Sequence, residues 1–218
     1  MYRESDLENW IRWHLYRRWK NSKRRGALNE FRQYLRTLPA GSICVDCGAN
    51  VGDITDLLRR NGSRVIAFEP DPVAGKTLKR RFSEDPGVTI IEKAVGGANR
   101  KAMFYQRPGV VDDIRKTKGS SLVKKSAHLE APVAEIDVID LPEFIMSLGD
   151  PLALLKLDIE GAEAEVLEAL LHKGVHRSIG QIYVETHERF SPELARRIQA
   201  IRQQIQTDKI TNINLDWM

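Results

Sequence analysis

The stretch Ser42-Ile-Cys-Val-Asp-Cys-Gly-Ala-Asn-Val-Gly-Asp-Ile-Thr-Asp56 leaves this chain few folds. Ile43 to Val45 is a short apolar run with a β-branched bias, which predicts a buried strand. The chain then turns through Asp46, Gly48, Asn50 and Gly52. Asp53 is placed to cap a helix running through Ile54, Leu57 and Leu58 to a stop at Asn61-Gly62. A second apolar run, Arg64 to Phe68, ends in Glu69. Strand, glycine turn, helix, strand and terminal acid form one βαβ unit with the layout of a nucleoside site. Glu69 lies 23 residues beyond Asp46, about where a ribose-binding acid belongs.

The turn itself selects among nucleosides. A dinucleotide needs G-x-G-x-x-G, so that backbone can approach a pyrophosphate at a helix N-terminus. Here the third glycine is absent, and Asp53 would repel a pyrophosphate. A ligand with an ammonium group and a ribose but no phosphate suits the turn better, and S-adenosylmethionine is such a ligand. Asp46 can face its amino group or orient the turn, and Glu69 can accept both ribose hydroxyls. An ordinary βα turn without a ligand would share the glycines. It would not require a strand-terminal acid at this spacing.

Further strands repeat the arrangement. Val88 to Ile91 is a third apolar run, Leu152 to Leu157 a fourth and Gln181 to Val184 a fifth, with helical stretches between them. The β-α-β-α-β order predicts an α/β fold with a doubly wound, mostly parallel, Rossmann-like sheet. Ligands in such sheets bind beyond the carboxyl ends of the strands. Asp46, Glu69, Asp158 with Glu160, and Glu185 with His187 all fall there. Each also has a plainer reading: Glu160 as a helix cap, Lys156 as a strand residue reaching one of the acids, His187 as a structural histidine. His14, His128, His172 and His176 lack such a setting and read as surface residues. Ser191-Pro192 marks the start of the last long helix, and one more strand is expected within Lys209 to Trp217.

Two regions stand apart. Residues 98–130 are polar and irregular beyond a strand at Lys101 to Tyr105, which predicts a substrate loop or lid. Residues 1–40 form a basic helical extension with three tryptophans. They carry ten Lys/Arg against four Asp/Glu, so the remaining residues hold 24 basic against 26 acidic groups. The extension divides near Lys23-Arg24-Arg25-Gly26, and a second helix is expected from Leu28 to Leu38 with Phe31, Tyr34, Leu35 and Leu38 on one face. It reads as a cap on the cofactor side or edge of the sheet, and offers a surface for self-association. Residues 41–218 are left as the cofactor-binding domain.

Composition narrows the setting. No apolar run reaches the roughly 18 residues of a membrane span, and the N-terminal residues do not read as a signal peptide. The two cysteines, Cys44 and Cys47, sit in and after an apolar strand with no second pair, which argues against a zinc site and for a reducing cytoplasm.

Four motifs in order, Val45-Asp-Cys-Gly-Ala-Asn-Val-Gly52, Ala67-Phe-Glu-Pro70, Leu155-Lys-Leu-Asp-Ile-Glu-Gly-Ala-Glu163 and Val184-Glu-Thr-His187, resemble the FkbM family of S-adenosylmethionine-dependent methyltransferases. Gly119-Ser-Ser-Leu122 resembles a further segment of that family. The resemblance covers roughly residues 42 to 190. It implies a class I methyltransferase fold and methylation of a hydroxyl on a sugar, glycan or natural product. By the same resemblance Asp46, Gly48, Asn50 and Gly52 hold the methionine part of the cofactor, and Glu69 the ribose. The turn Glu92-Lys93-Ala94 lies near adenine, and Asp158 beside the transferring methyl. The N-terminal extension lies outside the family pattern. The fold's usual two-strand antiparallel ending has room here for one strand.

An alcohol acceptor needs a base, and Asp158, Glu185 and His187 are the candidates. Two arrangements are open. His187 is the base with a carboxylate orienting it, or all three hold a divalent metal that acidifies the hydroxyl. Two carboxylates and one imidazole suit Mg²⁺ or Mn²⁺ only loosely, so the metal ranks second. Other functions compete. An RNA or protein methyltransferase would dock through the basic helices, against which stand the slightly acidic remainder and the absence of an asparagine–proline base-methylation motif after the fourth strand. A non-catalytic nucleoside-binding or NAD-binding module is the third class.

Overall fold

In the computed structural model, residues 26–106, 117, 120–122 and 131–217 are described. The three tryptophans of the extension, His14, His128 and most of the 98–130 loop lie outside them. The elements run α1 (26–37), β1 (Ile43–Cys47), α2 (Asp53–Arg60), β2 (Arg64–Phe68), α3 (Pro72–Arg81), β3 (Val88–Ile91), β4 (Ala94–Gly96), β5 (Arg100–Gln106), β6 (Ala131–Asp140), α4 (Leu141–Ser147), β7 (Leu152–Leu157), α5 (Glu163–His172), β8 (Ile179–Glu185), α6 (Pro192–Thr207) and β9 (Ile213–Trp217).

The main sheet has the order β3-β2-β1-β7-β8-β9. Every neighbouring pair is parallel, β8 with β9 included. This is the doubly wound α/β fold that the strand and helix order predicts. The order reverses between β1 and β7, and a crevice opens at that point beyond their carboxyl ends.

Alternation along β1 explains why both faces are covered. Ile43, Val45 and Cys47 enter one core with α4, α5 and α6 residues such as Leu141, Leu167 and Ile198. Cys44 enters the other, with Phe31 and Leu35 of α1, Leu58 of α2, Leu154, Tyr183 and Trp217. Neighbouring side chains on a strand point to opposite faces, so Cys44 and Cys47 are separated by the sheet; both are buried, free thiols.

The strand expected at Lys101 to Tyr105 forms as β5, outside the main sheet. β5 pairs antiparallel with β6, and β6 parallel with β4, in a separate three-stranded sheet. Asp53 does not cap α2. Gly52 occupies the N-cap with φ 90° and no side-chain bond, while Asp53 pairs with Arg81 at 3.0 Å. Helix α1 packs against β8 and the edge strand β9, with the Phe31 ring edge-on to Tyr183 and tilted against Trp217. His176 is buried rather than on the surface, because the short helical turn after α5 brings its Nδ1 to the Leu170 carbonyl at 3.2 Å. Ser191 does cap α6, accepting from the Leu194 N–H at 3.1 Å. Among the described residues no helix is long and apolar enough to cross a membrane.

Candidate active site

A cavity of about 270 Å³ occupies the crevice at the switch point. One end is the glycine turn after β1. Gly48 has φ 75°, and a Cβ there would lie 1.8 Å from the Asp158 carbonyl oxygen. Only glycine lets this turn close against the end of β7. Asn50 also adopts a left-handed conformation, φ 51°, which asparagine tolerates better than most residues. Its N–H donates to Glu69 Oε2 at 2.6 Å, and its amide nitrogen to Thr117 at 2.9 Å. The N–H of Asp71 donates to Glu69 Oε1 at 2.8 Å. Each carboxylate oxygen of Glu69 is thus fixed by one backbone donor and keeps acceptor capacity toward the cavity that it lines. Burial pushes Glu69 up to about 7, against the lowering effect of those two N–H groups.

The wall formed beyond β7 and β8 is acidic: Asp158, Glu160 and Glu185 line it. Behind them stands His187, almost fully buried. Its Nδ1 meets Glu163 Oε1 at 2.8 Å, and its ring stacks on Phe190 at 4.9 Å. Its Nε2 lies 3.4 Å from Glu160, 3.9 Å from Asp158 and 4.0 Å from Glu185. Burial works against the imidazolium, but Glu163, Glu160 and Asp158 outweigh it and raise His187. Burial and the charge of Asp158 raise Glu185.

The residues expected at the site divide in two. Gly48, Asn50, Glu69, Ala94, Asp158 and Glu185 line the cavity, with Thr117, Ser120, Ser121 and Leu122 closing it over. Asp46, Gly52, Glu92 and His187 are not among its lining residues. Asp46 sits on the α2 side of β1, fully buried, where Thr55 donates to it at 2.7 Å and the Lys156 ammonium lies 3.1 Å away. It braces the turn from below. Gly52 packs under Leu78 of α3 and Phe82 just beyond it. Glu92 pairs outward with Lys79.

Two further residues organise the site. Glu163, fully buried, accepts from the N–H groups of Ile159 and Gly161, both at 2.9 Å, besides holding His187. It folds the loop after β7 back on itself and sets the imidazole's orientation at once. Its place in the Leu155–Glu163 motif was the only available signal, and a carboxylate at a helix start reads there as a dipole-favoured acid. Lys156 donates to the Gly48 carbonyl at 2.8 Å and the Cys47 carbonyl at 3.2 Å, and lies 3.8 Å from Asp158. Burial opposes its charge, yet Asp46 and Asp158 hold its pKa above the ordinary lysine value.

Comparison with known proteins follows the same outline. The family described as "Methyltransferase FkbM domain" matches residues 46–209. Methyltransferase 1 of Beauveria bassiana is 31% identical over 150 residues, covering 61% of this chain and 59% of that protein. The chain thus spans about three fifths of that relative's length. Methyltransferase sdnD of Sordaria araneosa is 25% identical over 185 residues, covering 71% of this chain and 70% of that protein. The crystal structure of a TehB-like SAM-dependent methyltransferase from Corynebacterium glutamicum superposes with a TM-score of 0.39 at 14% identity, over 91% of this chain and 84% of that one. With the matched region filling most of its 218 residues, the chain belongs to the methyltransferase FkbM domain family, whose cofactor is S-adenosylmethionine.

Proposed function

We propose that this protein transfers a methyl group from S-adenosylmethionine to a hydroxyl of a small molecule, sugar or glycan. The observation that carries the reading is the set of polar groups around the cavity at the switch point. Glu69, a ribose-type acceptor, follows β2 on one side of β1, and the acids Asp158 and Glu185 follow β7 and β8 on the other, and all three line it. The residues fit the cofactor. The Gly48 turn closes against the Asp158 carbonyl and so shapes the cavity wall, and Asn50 Oδ1 is buried without a hydrogen bond among the described residues, as suits a ligand bearing N–H donors. In this reading Gly48 and Asn50 hold the methionine part, Glu69 the ribose, and the β4 start at Ala94 the adenine. Asp46, Gly52 and Glu92 contribute by shaping those elements.

S-adenosylmethionine supplies an electrophilic methyl on a good leaving group. What this chain adds is alignment and proton management. Asp158 and Glu185 accept hydrogen bonds from the acceptor hydroxyl and orient its oxygen. The proton leaves through the Asp158–Glu185–His187 cluster, with Glu163 holding the imidazole. The segment 98–130, through Thr117 and Ser120 to Leu122, closes the cavity from water and selects the acceptor. Residues 41–218 form the methyltransferase unit and 1–40 its extension. The buried thiols Cys44 and Cys47 are consistent with work in a reducing cytoplasm.

Calorimetry with S-adenosylmethionine and with NAD tests the cofactor. We expect binding of the first only, weakened at least tenfold in Glu69→Ala. With radiolabelled S-adenosylmethionine and a panel of hydroxylated acceptors, His187→Ala should keep cofactor affinity and lose most turnover. Binding of NAD alone would sink the proposal.

A further inference from the structure

We infer that Asp158, Glu185 and His187 hold a divalent cation, Mn²⁺ or Mg²⁺, at the acceptor end of the cavity. The inference rests on the methyl-transfer reading above and replaces its proton route, with the three residues as metal ligands in place of the relay. One ligand atom of each residue lies within 4.8 Å of the others. The side chains of Asp158 and Glu185 are each 30% exposed, so their carboxylates are free to rotate inward. Closing by about 1 Å brings the imidazole nitrogen, now 3.9 and 4.0 Å from the two carboxylates, to the separations of roughly 3 Å that adjacent ligands of an octahedral ion require, and rotation of the carboxylates closes the remaining gap between them.

The independent observation is the histidine. His187 is 1% exposed, and its Nδ1 is locked to Glu163, itself pinned by two backbone N–H groups. That arrangement, a carboxylate on the far ring nitrogen, is the usual support of a metal-binding imidazole. Its Nε2 is aimed at the acidic wall and makes no hydrogen bond among the described residues; Glu160, Asp158 and Glu185 oxygens stand 3.4 to 4.0 Å away. Charge points the same way. Three carboxylates surround this nitrogen, and the nearby fixed cation, Lys156, is already shared with Asp46. The two carboxylates are hard donors that suit Mn²⁺ and Mg²⁺, and the softer imidazole leans the set toward Mn²⁺.

The open positions of such an ion face the cavity. An acceptor hydroxyl bound there becomes more acidic. Its O–H bond breaks with the electron pair left on oxygen, and the proton passes to the carboxylate of Glu160 on the same wall. His187 then acts as a neutral ligand with Nδ1–H donated to Glu163, instead of as the base.

Electron paramagnetic resonance of Mn²⁺ titrated into the full, chelator-stripped chain tests this, with and without S-adenosylmethionine. One Mn²⁺ per chain is expected. His187→Ala and Asp158→Asn should each weaken it at least tenfold, and Glu163→Gln by roughly ten- to a hundredfold. Circular dichroism verifies folding, and Asp158→Asn, at a partly exposed position, carries the test if His187→Ala fails to fold. Glu69→Ala should lose S-adenosylmethionine and keep Mn²⁺. Equal Mn²⁺ binding by wild type and the folded ligand variants would overturn the site. So would competition between Mn²⁺ and S-adenosylmethionine, because the acidic wall would then serve the cofactor's own positive charge. A chain that binds Mn²⁺ at these residues but never S-adenosylmethionine would refute the methyl-transfer reading and leave the metal site standing.

Discussion

Glu69 joins stability to binding through one proton. Its carboxyl is raised to about 7 from an ordinary 4.5 because it is buried. Between those values the folded chain keeps a proton that the unfolded chain has released. Stability therefore falls as pH rises from about 4.5 to about 7, by up to about 3 kcal/mol. Urea denaturation at pH 5 and pH 8 should show that slope, and Glu69→Gln should flatten it. Ribose hydroxyls bond more strongly to the ionised form, so S-adenosylmethionine affinity should increase from pH 6 to pH 8 in the wild type. Gly48 is constrained by space rather than charge. Gly48→Ala places a Cβ against the Asp158 carbonyl at φ 75°, with rigid backbone on both sides. A loss of at least about 2 kcal/mol is expected in urea melts.

Among the elements, the start of α3 carries more than a helix. Asp71 Oδ1 caps it through the N–H groups of Val73 and Ala74. Its Oδ2 accepts from Gln106 at the end of β5 and from Ser120, both at 2.7 Å. One buried carboxylate thus ties α3, the second sheet and the segment that closes the cavity. Asp71→Ala should lose about 1 kcal/mol for the cap and a further 1–3 kcal/mol for the stranded donors. Faster amide exchange at 120–122 and weaker S-adenosylmethionine binding should accompany it. Pro70-Asp-Pro72 is readable as a helix start, but Gln106 and Ser120 lie 35 and 49 residues away. No local pattern announces partners at that distance. Glu163 was obscured for a similar reason: its role toward Ile159 and Gly161 is local, but its bond to His187 spans 24 residues.

For the molecule as a whole, the six-stranded sheet is covered by a core on each face, and the cavity opens at its strand ends. Phe31 of α1 is fully buried between Tyr183 and Trp217, with ring centroids at 5.0 and 4.6 Å. Phe31→Ala should cost about 3–5 kcal/mol. Cofactor affinity measured below the lowered melting temperature should be kept, because that contact lies on a sheet face and the cavity at the strand ends. The sequence by itself determined the succession of strands and helices, the glycine turn and the acids at the strand ends. These are written in local periodicity and turn chemistry, which neighbouring residues settle among themselves. Only the tertiary structure decided which of those residues face the cavity. Alternation sent Asp46 to the α2 side, the left-handed turn at Gly48 carried the chain on to the crevice, and α3 drew Glu92 outward to Lys79. Pairing β7 with both β1 and β8 is what set Lys156, Asp158, Glu163 and His187 around one point. Such convergence depends on strand order and register, which are fixed by burial across the whole sheet rather than by any one segment.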